Sequence, residues 1–183
     1  MIFLFFIIMA KKISEREVFK TDIFSVKEIN LEFKNKKKAT YSIIEKKDSS
    51  LIVPVTEDGQ LILIKEYFAA IDSYEIGLPK GRVDSENPLD AANRELQEEI
   101  GYKAKELIKL GTLIVSPGST RHKTHVYLAK NLVKSKLPSD EGEEIEVMKI
   151  PFDSFEKIIE DGKLNEARFI AALYMARKYL KKR

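Results

Sequence analysis

Residues 81–102, GRVDSENPLDAANRELQEEIGY, constrain this chain more than any other stretch. They read as a tight loop followed by one helix. Asn87 is placed as the N-cap and Pro88 as the first helical residue. Asp90 puts a negative charge in the first turn, and Gly101 suits a left-handed C-cap. Inside the helix Glu95, Glu98 and Glu99 are spaced three and four apart, so they share a face. At about 100° per residue, Leu89, Leu96 and Ile100 form another stripe that can face a core. Ala91 and Ala92 are small, which leaves room beside the carboxylates. Like charges at these spacings repel and weaken a helix unless something offsets them. A hard divalent cation with oxygen ligands, Mg²⁺ or Mn²⁺, would do so. A merely solvated acidic face is the alternative.

The rest of the chain alternates strands and turns, with helices near its end. Residues 24–33 alternate apolar and polar, as a half-buried strand does, and the phase slips at Lys27-Glu28, which predicts a bulge or a break. Lys34-Asn35-Lys36 offers a turn with Asn35 in a left-handed conformation, and residues 40–45 complete a hairpin. Residues 51–55 and 60–65 are short apolar runs joined by Glu57-Asp58-Gly59, a second hairpin signal. Residues 73–78 lead into the loop at Gly81. Residues 110–115, 124–129 and 147–150 read as strands, and 152–161 and 165–181 as helices separated by Gly162. This is a mixed sheet with helices on its faces, an α/β class. Residues 11–183 read as one domain. Residues 1–10, MIFLFFIIMA, stand apart as a disordered apolar tail or a start-site artefact, with translation beginning at Met9. The run is too short to span a membrane, which takes about 20 residues.

Other residues able to carry chemistry are few. Asp140-Glu141-Gly142-Glu143-Glu144 is an acidic loop. It is either a solvated face or, folded over a cation, the source of a general base for an attacking water. Glu86 and Arg94 fit an ion pair that pins the loop before the helix, or two unrelated surface charges. His122 and His125 lack the further ligands a zinc site needs; His122 could contact phosphate or ribose, or simply lie on the surface. Tyr67, Phe68 and Tyr74 could stack on a base or pack in a core.

The run Arg94-Glu95-Leu96-x-Glu98-Glu99-x-Gly101-Tyr102, with Glu86 and Gly81 before it, resembles the Nudix box. It departs at one point: four residues, Arg82 to Ser85, separate Gly81 from Glu86 where the box usually has five. Further matches at Ser73-Tyr74-Glu75, Lys80-Gly81, Ala91-Ala92-Asn93, Asp140-Glu141-x-Glu143 and Asn165-Glu166-Ala167-Arg168 resemble the branch of ADP-compounds hydrolases and ADP-ribose pyrophosphatases. The resemblance implies the Nudix α/β/α sandwich with a mixed sheet, and a homodimer through N-terminal strands. It implies divalent metal on Glu95 and Glu99 with Glu98 close by, joined by the backbone carbonyl of Lys80. It assigns catalytic work to Glu98, Glu141 and Glu143, with one of the last two as base. It also implies Mg²⁺-dependent cleavage of the diphosphate in ADP-linked compounds such as ADP-ribose, NADH and diadenosine polyphosphates, with release of AMP. A nucleotide sensor without turnover and an RNA-end pyrophosphohydrolase are the alternatives.

Composition narrows these. The net charge is only +3 and no long basic stripe is present, so nucleic acid is not an expected partner. There is no cysteine, which excludes disulfides and thiolate zinc sites and fits a reducing cytoplasm.

Overall fold

The strands come in two styles, half-polar within residues 11–46 and almost wholly apolar at 51–53, 61–64 and 126–129. The computed structural model describes residues 10–84, 87–138 and 145–182. Its strands are β1 (Lys11–Lys20), β2 (Phe24–Glu32), β3 (Lys38–Lys46), β4 (Ser49–Pro54), β5 (Gln60–Phe68), β6 (Ser73–Gly77), β7 (Lys80–Arg82), β8 (Tyr102–Ile114), β9 (Thr120–Arg121), β10 (Lys123–Lys134) and β11 (Glu146–Pro151). The α-helices are α1 (Pro88–Glu95), α2 (Phe155–Glu160) and α3 (Ala167–Leu180). The described residues form two units, one within 10–47 and 114–122, the other within 48–113 and 123–182.

In the first unit the strand order is β1-β2-β3-β9. The first of these, β1, has no counterpart in the sequence reading, because residues 11–20 lack a clean alternation. The bulge or break expected at Lys27-Glu28 is absent from β2, which pairs with β3 in unbroken register from Phe24–Lys46 to Glu32–Lys38. The register shifts fall instead between β1 and β2, around Ile13 and Val18 of β1. The turn after β2 also differs from expectation. Lys36, at φ 64°, takes the left-handed conformation, while the Asn35 side chain accepts a hydrogen bond from the Lys37 amide at 3.1 Å. Arg121 on β9 bonds Glu15 at 2.8 Å and Glu45 at 2.5 Å, and Lys27 pairs with Glu45. Hydrogen bonds from Arg121 and Lys12 hold the Glu15 carboxyl down at about 2.

In the second unit the apolar runs are strands covered on both faces, which explains their lack of alternation. Leu51, Val53, Leu61, Leu63, Val126 and Leu128 pack with Phe155 of α2 and with Phe169, Leu173 and Ala176 of α3. The intervening Ile52, Ile62, Ile64, Tyr127 and Ala129 pack with Ala92, Leu96 and Ile100 of the box helix. Helix, sheet and helix therefore form three layers, the α/β/α arrangement. One sheet runs β7-β4-β10-β8 and the other β11-β5-β6. Strands β4 and β10 are parallel, from Ser49–Thr124 to Pro54–Ala129. The second hairpin is only partly formed. The turn before Gln60 closes through Thr56, but the two runs meet only in an isolated bridge between Val55, just past β4, and Leu61, because each strand finds its ladder partners elsewhere. Among the described residues no helix is long and apolar enough to cross a membrane.

Candidate active site

Asn87 starts the central helix as its sequence predicts. Its Oδ1 accepts from the amides of Leu89 and Asp90, both at 3.0 Å, and Pro88 follows in the first turn. Ser50, buried on β4, donates to the Pro88 carbonyl at 2.5 Å and ties this end to the sheet. After Glu95 the helix widens into a π turn over Leu96–Ile100, and the Gly101 amide reaches back to the Leu96 carbonyl. Single π turns of this kind are frequent at functional sites. Gly101, at φ 75°, ends the helix as expected.

The predicted core stripe needs one correction. Leu96 and Ile100 are buried, but Leu89 is 43% exposed. The buried face of the first turns belongs to Ala91 and Ala92, both fully covered. Their small size lets the helix lie close on the sheet, and does not keep space free beside the carboxylates as the sequence reading had it.

The loop from β6 to the helix is fixed by its backbone. The Ile52 amide donates to the Pro79 carbonyl and the Val83 amide to the Asp48 carbonyl, each at 2.9 Å. Gly81 of β7 then lies directly over Glu95. A Cβ at Gly81 would fall 1.8 Å from Glu95 Cδ and 1.9 Å from its Oε1. Only a residue without a side chain lets that carboxylate occupy its place. Glu95 is 8% exposed and Glu99 only 3%. Glu99 Oε2 accepts from the Lys80 amide at 3.0 Å, whereas its Oε1 is buried without a partner. Burial pushes the Glu99 carboxyl well above the ordinary carboxylate range; Lys80 opposes this, and Glu66 and Glu95 add to it.

Arg94 holds the outer side. Its guanidinium bonds Glu95 Oε1 and Glu98 Oε2, both at 2.8 Å, and the Arg82 carbonyl at 3.0 Å. It thus pins the loop through a backbone carbonyl; Glu86, its expected partner, lies outside the described residues. So do Glu141 and Glu143, but the chain just before them is fastened to the end of the box helix. Ser135 N–H donates to the Gly101 carbonyl at 2.9 Å, Lys136 Nζ to the Glu98 carbonyl at 2.6 Å, and Leu137 N–H to the Gln97 carbonyl at 3.2 Å. Sequence reasoning missed these contacts, and it missed Glu66, which pairs with Lys80 Nζ. A signal for Glu66 existed: it continues the period-two face of Ile62 and Ile64. The histidines serve backbone and side-chain hydrogen bonds. His122 Nδ1 lies 2.7 Å from the Lys47 carbonyl, and His125 Nε2 lies 3.3 Å from Asp48. The Tyr67 and Tyr74 rings pack on each other in a tilted pair at 5.3 Å and are exposed, so they are not core residues.

Among the described residues no three carboxylate or imidazole groups converge as a ready-made metal cage. The donor set nevertheless fits an oxygen-seeking divalent cation. A desolvated carboxylate oxygen lacks any hydrogen-bond donor, and a second carboxylate is seated nearby in a cradle that a Cβ would fill. Gly81→Ala should keep the fold, because only the movable end of Glu95 must give way, yet weaken Mg²⁺ binding by about tenfold or more. Calorimetric titration checks this; unchanged affinity contradicts the cradle. Glu99 also makes a pH prediction. Its folded pKa is raised, so its contribution to stability is fully present below about pH 4.5, the ordinary value for a free glutamate, and is lost as pH rises through the folded value. In chelator at pH 8, Glu99→Gln should therefore melt higher than wild type, and added Mg²⁺ should raise only the wild type. A lower melting point for Glu99→Gln under chelation would contradict it.

Comparison with known proteins agrees with this geometry. The NUDIX domain family matches residues 45–173. The chain is 35% identical over 167 residues to "ADP compounds hydrolase NudE" of Escherichia coli (strain K12), covering 90% of this chain and 89% of that protein. It is 31% identical over 171 residues to "ADP-ribose pyrophosphatase" of Bacillus subtilis (strain 168), covering 89% and 92%. A solved structure described as "Crystal structure of ADP compounds hydrolase" superposes with a TM-score of 0.87 at 33% identity, over 94% of this chain and 95% of that one. The chain belongs to the Nudix family and is a hydrolase of phosphoanhydride bonds.

Proposed function

We propose that this enzyme cleaves the diphosphate of an ADP-linked compound such as ADP-ribose, NADH or a diadenosine polyphosphate, with AMP as a product of the first two. The observation that carries the reading is Glu99, buried with one oxygen partnerless beside Glu95 and Gly81. The names of the similar proteins support the ADP-linked class. Glu95 and Glu99 would hold Mg²⁺ or Mn²⁺, with Glu98 and the Lys80 carbonyl adjoining. A cation bound there supplies charge neutralisation on the diphosphate and lowers the pKa of a coordinated water.

The chain's own residues do the rest. Arg94 keeps Glu95, Glu98 and the Arg82 carbonyl in fixed relation, so the carboxylates do not have to be ordered when substrate arrives. In the reaction a water oxygen bonds to one phosphorus, the bond from that phosphorus to the bridging oxygen breaks, and the bridging oxygen leaves with the second phosphate. The water's proton passes to a general base, for which Glu141 and Glu143 are the candidates. The anchoring of residues 135–137 on the end of the box helix supports that assignment, since Leu137 is only three positions before Asp140 in the sequence.

We also read residues 11–183 as one functional domain acting as a homodimer. The strands of residues 11–46 leave Ile13, Val18, Phe19 and Tyr41 exposed, apolar surface that a second copy would cover. Sedimentation should give twice the 21.0 kDa chain mass; a monomer at micromolar concentration contradicts this.

The substrate test is a Mg²⁺-dependent assay of ADP-ribose, NADH and diadenosine polyphosphates beside GDP-mannose, ATP and dGTP, with products separated by chromatography. ADP-linked compounds should be cleaved fastest, and Glu99→Gln should lose at least about 10²-fold in kcat. Glu141→Gln should lower kcat with little change in cation affinity, and Glu143→Gln should affect cation affinity more. Faster turnover of GDP-mannose or a triphosphate than of every ADP-linked compound overturns the substrate class. No turnover of any compound favours a sensor.

A further inference from the structure

Glu66 lies on β5 two residues beyond Ile64, on the face that packs against the box helix. Its carboxylate pairs with Lys80 Nζ, and the two side chains are only 12% and 20% exposed. Across the β5–β6 ladder Glu66 stands opposite Glu75, which is itself engaged by Ser73 Oγ at 2.8 Å. The Lys80 ammonium also lies 5.1 Å from the centre of the Phe68 ring. The same lysine's amide holds Glu99 Oε2 at 3.0 Å. Lys80 thus serves two carboxylates, one through its backbone and one through its side chain. Both charges reach Glu99: Lys80 lowers its pKa and Glu66 raises it.

That arrangement contains a conflict. An ammonium and a divalent cation compete for the same carboxylate oxygens, and Glu99 Oε1 is the one left without a partner. In a site this poorly hydrated, a loose ammonium is strongly drawn to a buried charge. We propose that Glu66 is a positioning residue that retains the Lys80 ammonium and so keeps Glu99 Oε1 open for the cation. This rests on the reading of Glu99 as a cation ligand. Glu66 acts through Lys80 and has no part in the bond-breaking step.

The test is calorimetric titration of Mn²⁺ into the full chain for wild type, Glu66→Gln, Lys80→Met, the double variant and Glu99→Gln. Lys80→Met leaves the backbone amide on Glu99 intact. Glu66→Gln should bind Mn²⁺ about tenfold more weakly, the order expected of one freed charge at a half-buried site. Lys80→Met should bind at least as tightly as wild type. The double variant should recover to within about threefold of Lys80→Met, because the competing cation is gone. A double variant as weak as Glu66→Gln overturns the proposal, since Glu66 would then act on the cation directly or through the fold. Wild-type affinity in Glu66→Gln also overturns it. If Glu66→Gln fails to fold, Lys80→Met decides alone, and binding more than about threefold weaker than wild type overturns the proposal. Glu99→Gln separates the two levels of failure. If it binds Mn²⁺ as wild type does, the cation reading itself is wrong and the proposal falls with it. If it loses binding while Glu66→Gln does not, only the positioning role is wrong.

Discussion

Desolvation of Glu99 is the cost around which this site is arranged. A carboxylate at 3% exposure with one oxygen unpaired is an unfavourable group in a folded protein. Its neighbours make it worse in charge terms, since Glu95 and Glu66 both add to its burden while Lys80 alone relieves it. Such a group persists because the rest of the fold over-determines its position. The Lys80 amide fixes one oxygen, and the sheet contacts of Pro79 and Val83 fix the strand that carries Lys80. In the proposed reading a divalent cation would turn that liability into binding energy, and a divalent metal is what Nudix hydrolysis generally requires.

The layered fold supplies the rigidity. Strands β4, β5 and β10 are packed on both faces, so the box helix lies on a sheet that cannot shift without disturbing α2 and α3. Close approach is secured by small residues: Ala91 and Ala92 toward the sheet, Gly81 toward Glu95. The π turn at Leu96–Ile100 seats Leu96 and Ile100 in the core while Glu99 is buried on the site side. Beyond the helix, the Gly101, Glu98 and Gln97 carbonyls take up Ser135 to Leu137, so the strand leaving the sheet returns to the site before the acidic segment begins.

Much of this was legible in the sequence, because the helix signals are local. The Asn87 cap, Pro88, the Gly101 stop and the spacing of Glu95, Glu98 and Glu99 each depend on residues within a few positions. The apolar runs disclosed buried strands, but not their partners. Strand β4 lies beside β10, whose pairing residues start about 75 positions later, and nothing local to the 57–59 turn could reveal that. Leu89 misled because helical periodicity gives direction around an axis, not how far along it the sheet extends. Strand β1 escaped because most of its residues are exposed on both faces, so no alternation was imposed on it. Glu66 and the fastening of residues 135–137 escaped because they are tertiary contacts between charged or polar residues common on any surface. Gly81 was visible as part of a motif. Its physical reason, the Glu95 carboxylate occupying the place of a Cβ, needed coordinates.

The central claim is that Glu99 and Glu95 seat a divalent cation, and crystals soaked in Mn²⁺ test it most directly. Anomalous difference density collected at the manganese edge should show a peak within about 2.5 Å of Glu99 Oε1, with Glu95 among its neighbours. A well-occupied manganese peak elsewhere in the chain, with Glu99 Oε1 still without a partner, would contradict the account.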